Sequence, residues 1–328
     1  MASNSLTRTY NRIFSIVADE VQPQIFDIVS TKTALLFRYK EMGAIVVVGG
    51  QPHLRFNVLK ELPTTSAYSD LDTITPVRAD PVTSAIYEWK QLQTPVQISG
   101  LDMIKTGEAG VVDLINLFIE AAVISQRDAL GGSSVGIFSN VNESSLTAVS
   151  GLQSMLSSTT TTGTVGQLSR ATFSDWRQKL ANISSDFSAN GLNRMRTLYR
   201  QCSRFDENVD TIAVTGSFMD NYELNLTSSF QVNLPKVGSA GMADAGFDNI
   251  LYKNAVMFED DGVPANAGYF LNVEKYIRLF VRSGRESEIG DFVKARDQDD
   301  LVTHVLWAGN QVITNLGRHG LIQNGDTN

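Results

Sequence analysis

The chain has 328 residues, of which 42% are hydrophobic and 19% are charged, and its formal net charge is −8. This composition is typical of a globular protein with one large or two modest domains and a sizeable core, and it excludes a disordered chain. The negative charge argues against general nucleic-acid binding, which depends on Lys and Arg side chains that release phosphate counterions. The single cysteine, Cys202, excludes an internal disulfide framework and a metal site built from several cysteines, and we interpret it as a small apolar core residue.

The sequence also argues against secretion and against insertion into a membrane. The N-terminus is polar and lacks the apolar segment of a secretory signal peptide. The longest apolar stretch, Val111 to Ile124, is interrupted by polar residues and is shorter than the roughly 20 apolar residues that a membrane span requires. We therefore expect a soluble protein that is made in the cytoplasm.

The first 40 residues carry a helical apolar pattern that Pro23 interrupts. Ile13, Val17 and Val21 share one helical face, and Ile25 and Ile28 continue it beyond the proline. Two interpretations stay open. This segment is either a two-part helix that docks on its own core or an arm that packs on a neighbouring subunit.

A protruding hairpin is predicted next. Ala44–Val48 and His53–Leu59 are strand-like segments separated by a Gly-Gly turn. Residues 60–81 are polar, contain three prolines and show no hydrophobic period, whereas residues 82–99 alternate as a strand does. Two strands on either side of a polar tip describe a hairpin. A loop of this length is uncommon in a compact monomer unless it has a function.

The clearest helix is predicted for Gly107–Leu130, with its C-terminal end at Gly131–Gly132. A helix of this length spans roughly 35 Å. Its apolar stripe follows the helical period, although such a stripe is also typical of an ordinary buried helix. The stripe consists of Val111, Leu114, Ile115, Phe118, Ile119 and Ala122.

The remaining sequence alternates between predicted helices and strands. The low-complexity segment Leu152–Gln167 predicts a surface loop, and Ser169 is predicted to cap a helix whose apolar face carries Phe173, Trp176 and Leu180. Further helices are predicted at Leu192–Ser203 and from Gly216 onward. Strands are predicted at Thr211–Thr215, Ile250–Phe258, Gly268–Leu271, Tyr276–Val281 and Val302–Ile313, the last of which closes the chain.

No arrangement of residues predicts catalysis, a cofactor or a metal site. His53, His304 and His319 are far apart and have no ligand partner at helical spacing. The acidic residues Glu259–Asp261, and the set Asp297, Asp299 and Asp300, lack the order of calcium ligands, so we interpret them as solvated turns.

A Gly-rich segment, Thr162–Gly166, was also considered as a phosphate-binding loop. It is not followed by the Gly-Lys-Ser/Thr that such a loop requires. We therefore predict no catalytic residue, no cofactor-binding residue and no metal ligand.

Several short sequence segments occur in a particular order along the chain. This order is a more specific indication of a protein family than any one segment alone. The segments are the loop from Tyr68 to Pro76, Tyr87–Lys90, Ile98–Gly100, Ala243–Phe247, Tyr269–Asn272, and Leu306–Asn310 followed by Arg318–Gly320. With the arm, the hairpin and the long helix, this order resembles the Hong Kong 97-type fold of tailed-phage major capsid proteins. The resemblance extends from about Arg12 to Leu321.

The resemblance implies an α+β fold with five regions along the chain. They are an N-terminal arm at 1–40, an extended loop and its flanking strands at 41–100, and a spine helix of the peripheral domain at 101–145. An axial domain follows at 146–265, and return strands of the axial and peripheral domains occupy 266–328.

The resemblance further implies a structural protein without enzymatic activity. Its copies would form pentamers and hexamers of an icosahedral head around double-stranded DNA, with assembly in the host bacterial cytoplasm and a final location in the virion. Further implied partners are a portal, decoration proteins and packaged DNA through weak non-specific contacts. A separate scaffolding protein is expected, because few residues precede Ala44.

Two alternatives remain open at the level of the sequence. An encapsulin-like nanocompartment would share the fold but enclose an enzyme instead of DNA. An unrelated cytosolic enzyme is the second alternative, although the chain offers no set of nucleophile, base and orienting residue.

Overall fold

A computed structural model describes residues 33–59, 65–70, 72–73, 81–142, 144–184, 186–229, 239–244, 246–294 and 299–326. The predicted helices before residue 33 and most of the predicted hairpin tip lie outside these ranges. The elements up to the long helix are α1 Ala34–Glu41, β1 Ile45–Val48, β2 Leu54–Leu59, β3 Val82–Tyr87, β4 Lys90–Ser99 and α2 Gly100–Gly131.

The elements of the second half follow the long helix after an irregular segment. The first group is α3 Leu152–Met155, β5 Thr164–Val165, β6 Leu168–Ser169, β7 Lys179–Asn182, α4 Phe187–Cys202, β8 Thr211–Val214, α5 Gly216–Ser229 and α6 Ala240–Asp244. The second group is β9 Asn249–Tyr252, β10 Ala255–Glu259, β11 Ala267–Leu271, α7 Val273–Tyr276, β12 Ile277–Arg282, β13 Glu288–Ile289, β14 Val293–Lys294, β15 Asp300–Ile313 and β16 Gly320–Gln323.

Twelve of these strands form two six-stranded sheets, and the other four form the two-stranded pairs β2–β3 and β5–β6. In the first sheet, the 14-residue β15 pairs with β12, β13, β14 and β4, and β1 lies at the outer edge beside β12. The second sheet has the order β7-β16-β11-β8-β10-β9. The end of the chain therefore contributes strands to both sheets.

The central strands of the second sheet, β8, β10 and β11, are buried on both faces, which explains why they are almost continuous apolar runs. On β8, Ala213 faces the main core, whereas Ile212 and Val214 face a separate cluster beneath α4 and α5. This separate cluster is closed by an edge-to-face contact between Phe187 and Phe218, whose ring centroids are 5.2 Å apart.

The long helix is confirmed and is longer than predicted. It begins at Gly100, where the Ser99 hydroxyl accepts a hydrogen bond from the N–H of Leu101 at 3.3 Å, and it ends at Gly131. Its 32 residues correspond to roughly 48 Å. Ile115, Ile119 and Ala122 of the predicted stripe are buried, and the Gln126 amide donates to the carbonyl of Val305 at 3.5 Å, which holds the helix against β15.

The hairpin is confirmed by the antiparallel pairing of β2 with β3, from Leu54 opposite Tyr87 to Leu59 opposite Val82. The strand before it joins a different sheet. β1 runs parallel to β12, so that the Gly49–Gly50 turn carries the chain out of the first sheet and into the hairpin. A strand-turn-strand pattern in sequence does not reveal whether the two strands pair with each other.

Two predictions about the second half are wrong. Ser169 does not cap a helix. It ends β6, and Phe173 and Trp176 lie in turns, while Leu180 lies in β7 opposite Leu321 of β16. The apolar spacing imitated a helix, but pairing with a distant strand decided the structure. Likewise, β15 does not close the chain, because β16 follows it.

The low-complexity segment is only partly a surface loop. Residues 159–164 are largely exposed, but Leu152 and Met155 in α3 are fully buried. The N-terminal part of the segment is held in place by the buried Arg170, whose role was not predicted from the sequence. Its guanidinium donates to the Ser157 hydroxyl at 2.6 Å and to the carbonyls of Ser154, Met155 and Thr159 at 2.7–3.0 Å.

Candidate assembly surfaces

The root of the β2–β3 hairpin is firmly attached to the first sheet. The Tyr87 hydroxyl donates to the carbonyl of Ile313 at 2.8 Å, and the rings of Phe56 and Phe280 lie 5.4 Å apart. The Trp89 indole N–H donates to the carbonyl of Gln51 at 2.7 Å. These contacts fix the direction in which the hairpin leaves the subunit.

The Gly-rich segment supports the hairpin and does not resemble a phosphate-binding loop. The carbonyl of Gly166 accepts a hydrogen bond from the N–H of Ile86 at 3.0 Å. Gly166 has a φ of +59°, and a Cβ at this position would lie 2.9 Å from the Cβ of Ala85. Glycine is required here because the turn between β5 and β6 packs directly on β3.

Beyond its root the hairpin exposes apolar side chains. Val82, at the far end of β3, is 52% exposed, and Tyr68 in the described part of the tip is 72% exposed. Large exposed apolar residues on a projecting hairpin are typical of a surface that another molecule covers.

A second exposed apolar residue is held on a tight turn after α4. Phe205 is 89% exposed and has a φ of +57°, between Arg204 and Glu207, whose backbones pair with each other. A non-glycine residue in the left-handed region is strained. The turn thus presents an aromatic ring to solvent at a conformational cost, which favours a role in contact with another molecule.

The outward face of α2 carries a third apolar surface. Leu117 and Ile124, seven residues apart and therefore on one helical face, are 62% and 45% exposed. These two residues are not part of the predicted stripe, and they lie on the opposite side of the helix from Ile115 and Ile119.

One of the acidic clusters is not the solvated turn that was predicted. Asp260 is buried, and its carboxylate accepts hydrogen bonds from the N–H groups of Leu35 and Gly262, each at 2.9 Å. Burial raises the pKa of Asp260 from 3.8 to about 6, against the effect of these two hydrogen bonds. Glu259 and Asp261 on either side are exposed, as predicted.

In the other acidic cluster, Asp299 is solvated as predicted, whereas Asp300 is half-buried and begins β15. Asp299 is exposed and pairs with Lys294 at 2.9 Å, and Asp300 accepts from Gln97 at 2.6 Å. Asp297 lies outside the described residues.

The histidines and the cysteine lie in unrelated places. His53 is exposed at the hairpin root with its Nδ1 2.8 Å from the Glu88 carboxylate, His304 is exposed on β15, and His319 is buried beside Tyr276. Burial lowers the pKa of His319 to about 3 and raises the pKa of the Cys202 thiol to about 12. A neutral imidazole and a protonated thiol, both inside the core, are structural groups.

Two further properties concern the described residues only. Within these ranges, no three His, Cys, Asp or Glu side chains come close enough together to hold a metal ion. None of the helices in the described part of the chain combines the length and the apolar character needed to cross a membrane.

The comparisons with known proteins identify the fold. No protein-family model and no curated protein sequence matches the chain. Among solved structures, the cyanophage A-1(L) capsid asymmetric unit superposes with a TM-score of 0.59 at 15% identity, over 86% of this chain and 90% of that one. The capsid of an empty GTA particle gives a TM-score of 0.53 at 10% identity, over 87% and 88%.

A protein compartment has a similar fold. The holo-SrpI encapsulin complex from Synechococcus elongatus PCC 7942 gives a TM-score of 0.51 at 12% identity, over 85% of this chain and 84% of that one. All three likenesses extend over nearly the whole chain. The protein therefore has the Hong Kong 97-type capsid fold that is found in the coat proteins of tailed phages.

Proposed function

We propose that the chain is the major capsid protein of a tailed bacteriophage, and that its copies form the pentamers and hexamers of an icosahedral head around double-stranded DNA. The observation that supports this most strongly is the extent of the likeness, which covers 86–87% of the chain in two capsid structures. The protein would then act through its surfaces, and we propose no catalytic role.

The surfaces described above agree with this proposal. An anchored hairpin with exposed Tyr68 and Val82, the ring of Phe205 and the outer face of α2 give a single subunit several apolar contacts that a monomer leaves uncovered. We assign the sheet with β15 and α2 to the peripheral domain. The sheet with β7–β11 and β16, together with α4 and α5, corresponds to the axial domain.

The proposed partners follow from the same role. Further copies of the chain are the main partner, and a separate scaffolding protein, a portal and decoration proteins are expected at other surfaces. Contact with packaged DNA would be weak and non-specific, because the chain carries a formal net charge of −8. Assembly would take place in the host bacterial cytoplasm, and the assembled protein would be found in the virion.

A second candidate function is favoured by the likeness to the encapsulin complex. Such a shell would enclose a protein cargo in place of a genome. The fold supports both functions, so the content of the particle separates them.

The content of purified particles tests the first proposal against the second. Particles isolated from infected or phage-induced cells would be treated with nuclease, then opened and examined for DNA and for co-purifying proteins. Nuclease-protected double-stranded DNA of uniform length supports the phage head. An enzyme in fixed ratio to the shell protein, without protected DNA, would favour the compartment.

A further inference from the structure

A cleft rich in cationic side chains lies at one edge of the second sheet. It has a volume of about 710 Å³ and is bounded by the C-terminal end of α4, the start of β7 and the turn before β16. We call it the basic cleft. Its charged lining residues are Lys179, Arg200, Arg204, Arg318 and a single carboxylate, Asp175.

Three of these four cations form no ion pair with any residue that the structure describes. Arg318 pairs with Glu207 at 2.8 Å, but no other residue in the described ranges forms an ion pair with Lys179, Arg200 or Arg204. Cations of one sign around one concave surface create a positive potential that attracts an anionic partner. The residue that follows Arg204, Phe205, has an exposed ring.

A surface of the opposite charge lies near the other edge of the same sheet. Asp128, Asp248, Glu259 and Asp261 are exposed and line a cleft of about 620 Å³, together with the buried Asp260 and with Arg127, which pairs with Asp128 at 2.6 Å. We call this the acidic face.

The strand registers fix the separation of the two surfaces. Lys179 in β7 is opposite Gly320, and successive pairings through β16, β11 and β8 lead to β10, which ends at Glu259. Four interstrand steps and a shift of two residues correspond to about 20 Å. The basic cleft and the acidic face of one subunit therefore cannot meet each other, whereas those of two subunits can.

We propose that the basic cleft of one copy of the chain binds the acidic face of the next copy. This inference rests on the proposed shell function and specifies which surfaces join neighbouring subunits. A two-fold contact through either surface would bring like charges together. A head-to-tail contact pairs opposite charges and leaves one unused surface of each kind, so that it repeats until a ring closes.

Charge reversal tests the pairing directly. The first variant carries Arg200→Glu and Arg204→Glu, the second carries Asp248→Lys and Asp261→Lys, and the third carries all four substitutions. Each single-surface variant places like charges opposite each other, so we expect its assembly rate, measured by light scattering, to fall at least about tenfold. The four-fold variant restores opposite charges at every contact, and it should assemble again.

Mixing the two single-surface variants gives a sharper outcome. A ring in which they alternate contains only opposite-charge contacts, but alternation is possible only in rings with an even number of subunits. The mixture should therefore form hexameric rings and no pentameric rings, as counted in electron micrographs or by native mass spectrometry. A merely structural role of these residues would not distinguish even from odd rings.

Controls separate this inference from the proposed function. Arg194→Glu with Arg196→Glu makes the same charge change on α4 outside the cleft and should assemble at the parental rate. If the parent assembles and the reversal variants match it, or the control fails as they do, the pairing is wrong.

If folding of a reversal variant is impaired, Arg200→Gln with Arg204→Gln and the salt dependence of parental assembly decide the question. Assembly that is as fast in 1 M as in 0.1 M salt, or unaffected by these neutral substitutions, would overturn the pairing. A parent that never assembles would remove the proposed function and this inference with it.

Discussion

The carboxylate of Asp260 accepts a hydrogen bond from the backbone N–H of Leu35 at 2.9 Å, although 225 residues separate them in the chain. Leu35 lies in the first turn of α1, whose own N-cap residue, Thr33, makes no capping hydrogen bond through its side chain. Asp260 thus caps this helix from the loop after β10. The contact ties the start of the described chain to the second sheet and places a negative charge at a helix N-terminus, where it is favourable.

The raised pKa of Asp260 predicts a specific pH dependence of stability. Its pKa is about 6 in the folded protein and near 3.8 when unfolded, so the folded state binds more protons between these values. The contribution of Asp260 to the free energy of unfolding therefore falls by roughly 2 kcal/mol as the pH rises from 4 to 7. Asp260→Asn removes this titration.

Denaturant unfolding of the parent and of Asp260→Asn from pH 4 to pH 8 measures this effect. The stability of the variant relative to the parent should increase between pH 4 and about 7 and then remain constant. A difference that is flat throughout, or that decreases with pH, would show that Asp260 is ionised in the folded state over the whole range.

Arg170 is predicted to be essential for the order of the low-complexity segment. Arg170→Met leaves the carbonyls of Ser154 and Met155 without this donor, and a buried unsatisfied polar group costs about 1–3 kcal/mol. We expect a loss of at least about 3 kcal/mol in the free energy of unfolding. Arg170→Lys should lose less but should not match the parent, since an ammonium cannot reproduce the planar fork of donors. The exposed Arg194→Met is the control, and equal stability of both Met variants would contradict the assignment.

Truncation of neighbouring α2 residues to alanine should lower the stability of the protein by very different amounts. Ile119 is 1% exposed, and Ile119→Ala should lower the free energy of unfolding by about 2–5 kcal/mol. Leu117 is 62% exposed, and Leu117→Ala should change it by less than about 0.5 kcal/mol. Phe118 is partly buried, so Phe118→Ala should lower the free energy of unfolding by less than the ~3–5 kcal/mol that truncation of a fully buried phenylalanine costs. Denaturant midpoints of the three variants would reveal a misplaced helix face if Leu117→Ala proved the most damaging.

The hairpin is predicted to be needed for assembly but not for folding of the subunit. Deleting Thr64 to Thr75 leaves the root contacts of Tyr87 and Phe56 in place, so the melting temperature should be close to that of the parent. Assembly should be poor. A Gly/Ser linker of the same length at these positions is the matched control for loop length.

Limited proteolysis supplies an independent measurement of the same loop. Residues 60–81 should be cut first in unassembled protein and much more slowly in shells, because a neighbour would cover them. Equal cleavage rates in the two states, or normal assembly of the deletion variant, would show that the hairpin does not join subunits.

The hydrophobic period within a segment correctly predicted the helices and strands whose own residues show that period clearly. The stripe with Ile115 and Ile119 gave the long helix, and the alternation around Tyr87 gave the hairpin. Strand partners could not be predicted in the same way, because the pairing of β1 with β12 depends on residues more than 200 positions apart. The prediction of a helix after Ser169 was wrong for the same reason, because Leu180 lies in β7, which pairs with the distant strand β16.

The misjudged polar residues share another cause. Asp260 looks like an ordinary surface charge in sequence, and only the fold shows that a backbone N–H 225 residues away donates to it. Arg170 is satisfied by carbonyls 11–16 residues away, but its charge gives no sign in sequence that it is buried. Conversely, the exposure of Phe205 depends on a left-handed turn that has no glycine to mark it. The charged surfaces at the two edges of the second sheet likewise arise from strand order.

The central claim, that this chain builds a shell, is tested most directly by sedimentation velocity of the purified protein combined with electron microscopy of the same fractions. The protein should be studied alone, over a range of salt concentrations and with a co-expressed scaffolding protein. We expect closed particles of uniform size, or rings of five and six subunits that convert to such particles. A stable monomer under every condition would contradict it.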